Sequence, residues 1–223
     1  MTSPTPSTTS SQRSKSRSRT RASSRILPHD FYARDSLIVA EELLGKLVCK
    51  DGIVLRITEV EAYRHPDDTA SHCRMGRTKR NAPMWGRAGH VYMYLCYGIH
   101  MMLNIVTNDT DEGAAVLVRS CEVVEGHDLV AQRRGGLTSA TSLAGPGKVG
   151  AALLLDTKWS GHALYKPGEF VLRDAPPPAR IARAPRIGVE FASAKDRRAL
   201  YRFADADSLA VSHRKALRVW PGT

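Results

Sequence analysis

The clearest pattern in this chain is the stretch Ile57-Thr58-Glu59-Val60-Glu61-Ala62-Tyr63, in which apolar and polar residues alternate. Alternation with a period of two predicts a β-strand that carries Ile57, Glu59 and Glu61 on one face. Two carboxylates on one strand face suit an acid–base pair, although one of two such groups is often simply solvated. Ionisable and aromatic groups crowded at the end of a strand are typical of a reaction site, which the sequence predicts near Tyr63.

The same strand is predicted to pair with the apolar run before it. Residues 46–50 and 53–63 are joined by Asp51-Gly52, a pair that favours a tight two-residue turn. Upstream, apolar residues recur at helical spacing between Asp35, a capping residue type, and Gly45. A short amphipathic helix is therefore expected before the hairpin.

A second hairpin is predicted around Tyr97-Gly98, between strands at residues 90–96 and 99–107. A further strand is expected at residues 114–120. The segment Gly145-Pro146-Gly147-Lys148 lacks the spacing of a phosphate-binding loop and is interpreted as the start of a helix. Strands outnumber helices and no repeat is present, which predicts a mixed α+β fold.

Several polar and aromatic residues lie within these apolar strands. Tyr92 and Tyr94 share one strand face and are interpreted as core residues. Tyr97, beside a glycine at a hairpin tip, has little core to enter and is expected to be exposed. Asn104 and Arg119 each interrupt an apolar strand, where burial penalises a polar group that lacks a partner.

Composition and charge predict a basic protein with one folded domain. The chain has 223 residues and a formal net charge of +11. Residues 1–26 are rich in Ser, Thr, Pro and Arg and are expected to be a disordered tail, which leaves residues 27–223 as a single globular domain. That part remains basic and suits a polyanion such as nucleic acid, although basic proteins with other roles are common.

The cysteines and the apolar segments exclude several classes of protein. The four cysteines lie far apart without a Cys-x-x-Cys pair, so neither a zinc site nor a dense disulfide framework is expected. No apolar run approaches the roughly 20 residues that cross a membrane, and the N-terminus lacks the apolar centre of a secretory signal. The chain is expected to be soluble and intracellular.

Two further functions are open at this point. Glu61, His65, Asp67 and His72 could hold a divalent metal and make the protein a nuclease, although their spacing is irregular. Alternatively, the same basic surface could belong to a nonenzymatic DNA-binding module.

A longer set of motifs resembles the alkyladenine (3-methyladenine) DNA glycosylase family over about residues 27–205. The motifs, in the order seen in that family, are Glu61-Ala62-Tyr63, His72, Asn81 with Met84-Trp85-Gly86, Tyr92 to Gly98, Leu103-Asn104, Val116-Leu117-Val118-Arg119, Gly145-Pro146-Gly147-Lys148 and Arg186-Ile187-Gly188-Val189. The resemblance implies a single compact α+β domain with a curved antiparallel sheet, flanking helices and a protruding β-hairpin.

The resemblance also implies an activity. Such an enzyme is a monofunctional glycosylase of base excision repair, which flips alkylated or deaminated purines out of duplex DNA and hydrolyses the N-glycosidic bond. Its substrates are 3-methyladenine, 7-methylguanine, hypoxanthine and ethenoadenine, and it needs neither a metal nor an organic cofactor. The expected partner is double-stranded DNA with damaged purines, and the protein is expected to act as a monomer that does not bind a membrane. The expected location is the cytoplasm or nucleoid in a bacterium and the nucleus in a eukaryote.

Each matched residue acquires an expected role from the same resemblance. The catalytic positions are Glu61, which would activate water, and Arg119, which would lie beside it. The other positions are the base-binding residues Tyr63, His72, Tyr94 and Asn104, the intercalating residue Tyr97, and the backbone-contacting residues Arg77 and Lys148.

Overall fold

The computed structural model describes Met1 and residues 25–219. The strands are β1 Leu47–Lys50, β2 Ile53–Tyr63, β3 Val91–Cys96, β4 His100–Thr107, β5 Ala114–Glu125, β6 Phe170–Arg173, β7 Ile181–Ala184, β8 Arg202–Asp205 and β9 Arg218–Val219. The helices are α1 His29–Tyr32, α2 Ser36–Leu43, α3 His127–Arg133, α4 Pro146–Ala152 and α5 Ala194–Arg198, with short 3₁₀ helices at Ala82–Trp85, Thr157–Trp159 and Arg214–Ala216. The tail predicted over residues 1–26 lies outside the described residues apart from Met1, Arg25 and Ile26.

All nine strands belong to one antiparallel sheet. Its main path runs β3-β4-β5-β2-β8-β7-β9, and β1 lies between β2 and β6. The long strand β2 is central, because β5 pairs along one edge while β1 and then β8 pair along the other. The expected single α+β domain with an antiparallel sheet is confirmed.

Both predicted hairpins and the predicted helix are present. Asp51 and Gly52 adopt left-handed φ angles of 50° and 75°, and Tyr97 and Gly98 adopt 50° and 73°, as tight two-residue hairpin turns require. The first turn joins β1 to β2, and the second joins β3 to β4. Helix α2 begins after Asp35, whose carboxylate accepts a hydrogen bond from the backbone N–H of Leu37.

The regular alternation predicted for β2 was wrong at its centre. In the pairing with β5, Ile57 lies opposite Cys121 and Glu59 lies opposite Ser120, so Thr58 is an extra residue and forms a bulge. The bulge reverses the inside–outside phase of the strand. Ile57 therefore enters the hydrophobic core, while Glu59 and Glu61 enter a buried polar cluster.

The main core lies between the sheet and two helices. Helix α2 packs against β2 and β5, and α4 packs against β4 and β5. The buried faces include Val39 and Leu43 of α2 and Val149 of α4, each fully shielded from solvent. Burial of such side chains stabilises the fold by about 1.5–3 kcal/mol each relative to exposure.

Helix α4 also approaches the β3–β4 hairpin very closely. A Cβ at Gly150 would overlap the carbonyl oxygen of Met101, and one at Gly147 would lie 2.7 Å from the ring of His100. His100 and Met101 are the first two residues of β4. The two glycines therefore allow the helix to pack closely against the hairpin next to its tip at Tyr97.

The four cysteines are free, and Cys49, Cys73 and Cys121 are buried. Among residues 25–219, no helix has the length and apolar character needed to span a membrane.

Candidate active site

A cavity of about 440 Å³ lies where the β3–β4 hairpin, the end of β2 and the segment after β7 meet. Its volume is within the range of about 300–1,000 Å³ that is usual for small-molecule sites. Six of the residues chosen from sequence line it, namely Tyr63, His72, Tyr94, Tyr97, Asn104 and Arg119. The structure thus brings together side chains from four separate parts of the chain.

Glu61 is fully buried directly behind the wall of this cavity. Its Oε1 accepts a 2.8 Å hydrogen bond from the backbone N–H of Ile187 and lies 3.2 Å from Nη1 of Arg119. Its Oε2 accepts a 2.8 Å hydrogen bond from the hydroxyl of Tyr63. All three partners line the cavity, so the Glu61 carboxylate is separated from the cavity only by residues to which it is directly hydrogen-bonded or paired.

Arg119 connects this carboxylate to a second one. Its Nε donates to Oε1 of Glu59 over 3.3 Å, while the Nη1 edge faces Glu61. Burial lowers the pKa of Arg119, but the two carboxylates outweigh burial and raise it above its usual value. The guanidinium is therefore a permanent cation shared between two acids.

Glu59 is the more completely hydrogen-bonded of the two acids. Its Oε1 accepts from Arg119, Arg202 and the Ser212 hydroxyl, and its Oε2 accepts from the Ser120 hydroxyl and the Ser212 backbone N–H. Burial raises the pKa of Glu59, but Arg119 and these hydrogen bonds reverse the effect, so the pKa lies below its ordinary value. A carboxylate that accepts five hydrogen bonds and is not among the residues that line the cavity has a structural role.

Tyr63 presents only one free ring face to the cavity. The guanidinium carbon of Arg186 lies 4.7 Å from the ring centroid, and Arg186 makes a bidentate pair with Asp68 at 2.6 and 2.7 Å. Burial and then the charge of Glu61 raise the pKa of Tyr63 well above its usual value. The phenol therefore stays neutral and acts as a hydrogen-bond donor to Glu61.

His72 and two tyrosines form an aromatic wall. The His72 ring lies 4.6 Å from the Tyr94 ring, and its Nδ1 lies 3.0 Å from the hydroxyl of Tyr92. Burial, followed by the charges of Arg80 and Arg74, lowers the pKa of His72. Burial also raises the pKa of Tyr92 to about 12, so a neutral imidazole faces a neutral phenol.

Asn104 is buried in β4 with its amide orientation set by the backbone. Its Nδ2 donates to the carbonyl oxygens of Tyr92 and Met102, each over 3.2 Å. Both hydrogens of the Asn104 side-chain amide are thereby used. This polar side chain therefore has the hydrogen-bond partners that burial in an apolar strand requires.

Tyr97 lies at the hairpin tip with 89% of its surface exposed, as its position beside Gly98 predicted.

The residues expected to contact the DNA backbone lie away from the cavity lining. Arg77 is exposed and pairs with Asp111 at 3.0 Å, and Lys148 is exposed near the start of α4.

Sequence reasoning missed several residues that build the site. Arg186 and Ile187 belonged to a recognised motif but received no role, and Glu59 was considered only as one member of an acid–base pair. Tyr92 was interpreted as core, which its burial supports, but it also lines the cavity and contacts His72. The available signal was the motif Arg186-Ile187-Gly188-Val189 itself, since the burial of Arg186 and its pairing with Asp68 are visible only in the structure.

The acids and histidines considered for a metal site are not assembled as a ligand set. Across the part of the chain that the structure describes, no three His, Cys, Asp or Glu side chains are grouped so that they could hold a metal ion.

Comparisons with known proteins agree on one family. Residues 30–209 match the family model described as methylpurine-DNA glycosylase. A Nitrosococcus oceani protein named putative 3-methyladenine DNA glycosylase is 52% identical over 193 residues, which cover 86% of this chain and 96% of that protein. The Arabidopsis thaliana DNA-3-methyladenine glycosylase is 49% identical over 190 residues, which cover 84% of this chain and 74% of that protein. A putative 3-methyladenine DNA glycosylase of Methanocella arvoryzae is 39% identical over 194 residues, covering 85% and 96% of the two chains.

Proposed function

The chain belongs to the methylpurine-DNA glycosylase family, as its motifs predicted, and we propose that it excises alkylated and deaminated purines from duplex DNA by means of a water activated by Glu61. Members of this family are monofunctional DNA glycosylases, and this chain is a hydrolase of that type. The proposed substrates are 3-methyladenine, 7-methylguanine, hypoxanthine and ethenoadenine.

One observation carries the proposal. A buried carboxylate, Glu61, is held by the hydroxyl of Tyr63 and the guanidinium of Arg119 behind a cavity large enough for a base. A stacked base hides its glycosidic bond, so the nucleotide must rotate out of the duplex to reach such a pocket. Tyr97, exposed at the hairpin tip beside the cavity, is suited to fill the space that the nucleotide leaves.

The extruded base would occupy the aromatic part of the cavity. Arg186 covers one face of Tyr63, which leaves the opposite face for the base, and Tyr94 and His72 offer a second wall. A positive charge on an N3- or N7-alkylated purine is attracted by the electron-rich faces of these tyrosines. Asn104 lies in the same cavity with a fixed amide, a position suited to reject guanine.

The reaction needs a single carboxylate. As the bond from C1′ to the purine nitrogen breaks, the electron pair leaves with the base, the water oxygen bonds to C1′, and the water proton passes to Oε2 of Glu61. Oε2 accepts one hydrogen bond from Tyr63 and so retains a lone pair for that proton. The carboxylate also stabilises the positive charge that develops on the sugar, and Arg119 orients it.

Neutral lesions need help from the pocket, because an uncharged purine is a poor leaving group. When the Tyr92 hydroxyl donates to Nδ1 of His72, the neutral imidazole carries its proton on Nε2 and can donate it to the base. We assign this assistance to His72. Arg77 and Lys148, both exposed and cationic, are proposed to contact the DNA backbone.

The proposed unit of function is a monomer whose residues 27–223 form the glycosylase domain and act on the cell's DNA in the nucleoid or the nucleus.

A single assay tests the proposal against the two alternatives. The purified full chain is incubated in EDTA with a duplex that contains one 7-methylguanine, alongside a sample without protein. Free purine with an intact backbone, released faster than in that control, is the expected result. A strand break that appears only without EDTA would support a metal-dependent nuclease, and binding without release would support a nonenzymatic DNA-binding module.

A further inference from the structure

Phe191 is an exposed aromatic residue at the rim of the candidate active site. It lines the cavity, yet 61% of its surface is accessible to solvent. Phenylalanine is usually buried, but a single exposed phenylalanine is ordinary on a protein surface and by itself indicates no function. The position of Phe191 at the mouth of this cavity is what distinguishes it.

The surrounding segment holds Phe191 outward. It belongs to the connection between β7 and α5, where its neighbours Val189 and Ala192 are buried with Ala70 beside Tyr63. The backbone N–H of Ala192 donates to the carbonyl oxygen of Val189 over 3.0 Å, which closes a turn that contains Phe191. Because Val189 and Ala192 are buried, the phenyl ring of Phe191 stays on the solvent side of this turn.

A guanidinium covers the ring from a basic loop. The guanidinium carbon of Arg74 lies 5.1 Å from the centroid of Phe191, and Arg74 donates to the carbonyl oxygen of Ser71 over 3.2 Å. Residues 71–80 contain four Arg or Lys residues and no acid. An aromatic ring beside cationic side chains is the combination with which proteins bind unstacked or exposed nucleotides.

The ring and Tyr97 reach the cavity from opposite parts of the sheet. Tyr97 follows β3 at one end of the strand order, whereas Phe191 follows β7, with β4, β5, β2 and β8 between them. Both nevertheless line the same cavity. Both are also exposed to solvent, so a DNA strand that delivers a nucleotide to this cavity can contact both aromatic residues.

We propose that Phe191 is a second DNA contact, which packs against the nucleotide next to the extruded one on the same strand. The proposal rests on the proposed glycosylase function and adds to it a residue at the cavity rim, distinct from the base-binding residues and from the wedge Tyr97. The flat ring holds the sugar or base of that neighbour, while the basic loop that includes Arg74 supplies charge complementary to its phosphate. Phe191 stabilises the bound DNA and does not touch the reacting atoms.

Binding of a duplex with one tetrahydrofuran abasic site tests the proposal without requiring excision. Phe191→Ala is expected to raise Kd about tenfold, the effect of losing one stacking contact. Phe191→Tyr retains the ring and should bind within about twofold of the wild type. Leu209→Ala is the matched control, because Leu209 is 60% exposed and lies outside the cavity.

The salt dependence separates stacking from charge. Since Phe191→Ala removes no phosphate contact, the slope of log Kd against log salt concentration should equal that of the wild type. An unchanged Kd for Phe191→Ala, or an equal loss in Leu209→Ala, would overturn the inference. A different result would contradict the proposed function, namely a wild-type protein that binds the abasic-site duplex but releases no purine from a separate duplex that contains 7-methylguanine. The two failures are therefore distinguishable.

Discussion

The hydroxyl of Tyr63 donates a 2.8 Å hydrogen bond to Oε2 of Glu61, two residues earlier on the same strand. A side chain that lines the cavity is thereby tied to the buried carboxylate behind it. The other oxygen, Oε1, is occupied by Ile187 and Arg119, so only Oε2 has a lone pair available for a water.

Replacing Glu61 with Gln should abolish base release while DNA binding persists. Gln has nearly the same size but cannot accept a proton, and loss of a general base lowers rates by about 10²–10⁴-fold. Single-turnover release of 7-methylguanine measures the rate, and Kd for an abasic-site duplex measures binding. A wild-type rate in this variant would exclude Glu61 as the base.

Tyr63→Phe should slow release without removing the surface on which the base stacks. The variant loses only the hydroxyl that positions Oε2, and a hydrogen bond to a charged group is worth about 1.5–3 kcal/mol. A rate lower by about 10- to 100-fold, with Kd for the abasic duplex unchanged, is expected. If Kd rises and the rate does not fall, the ring rather than the hydroxyl carries the role of Tyr63.

Tyr97→Ser should impair extrusion of the damaged nucleotide. Tyr97 is 89% exposed, so the substitution removes a wedge with little effect on folding. The fluorescence rise of 2-aminopurine placed beside the lesion should be smaller than with the wild type, and Tyr97→Phe should restore it. An undiminished rise in the serine variant would show that another group opens the duplex.

Glu59→Gln should destabilise the fold, and the loss should depend on pH. Glu59 is fully buried with Arg119 and Arg202, and removal of one partner from such a cluster costs about 3–5 kcal/mol.

The sign of the pH effect follows from the lowered pKa of Glu59. Its stabilisation is fully present above the unfolded-state pKa, about 4.3, and is lost as the pH falls through the lower folded-state pKa. Urea denaturation of the wild type between pH 7 and pH 3.5 should show this loss, and Glu59→Gln should reduce it. The exposed Glu169 provides the control, since Glu169→Gln should match the wild type throughout.

Gly150→Ala tests how the hairpin is held. Alanine favours a helix over glycine by about 1 kcal/mol, but a Cβ here would overlap the backbone oxygen of Met101, and overpacking costs about 1–3 kcal/mol. Because a backbone oxygen cannot rotate away, we expect net destabilisation and weaker extrusion by the displaced Tyr97. Gly168→Ala is the control, since its Cβ would meet only one atom, at 4.0 Å. Equal melting temperatures for the two variants would contradict the close approach of α4.

The sequence alone determined the local structure. Asp51, Gly52 and Gly98 are residue types that tolerate a left-handed backbone, so each of the two pairs predicted a tight turn and therefore the pairing of its flanking strands. The capping carboxylate of Asp35 marked the start of α2 in the same way. The motifs also identified six residues that line one cavity, because a family resemblance carries long-range information that periodicity does not.

Tertiary structure alone decided which carboxylate contacts the residues that line the cavity. The bulge at Thr58 depends on pairing with β5, more than 50 residues away, so the alternation within β2 could not reveal it. Glu59 accepts hydrogen bonds from β8 and from the Ser212 segment, so both of its oxygens are fully occupied. Glu61 is contacted by Tyr63 and Arg119, and one lone pair of its carboxylate remains free. These contacts join distant residues through hydrogen bonds and charge, whereas sequence spacing reports only neighbours along the chain.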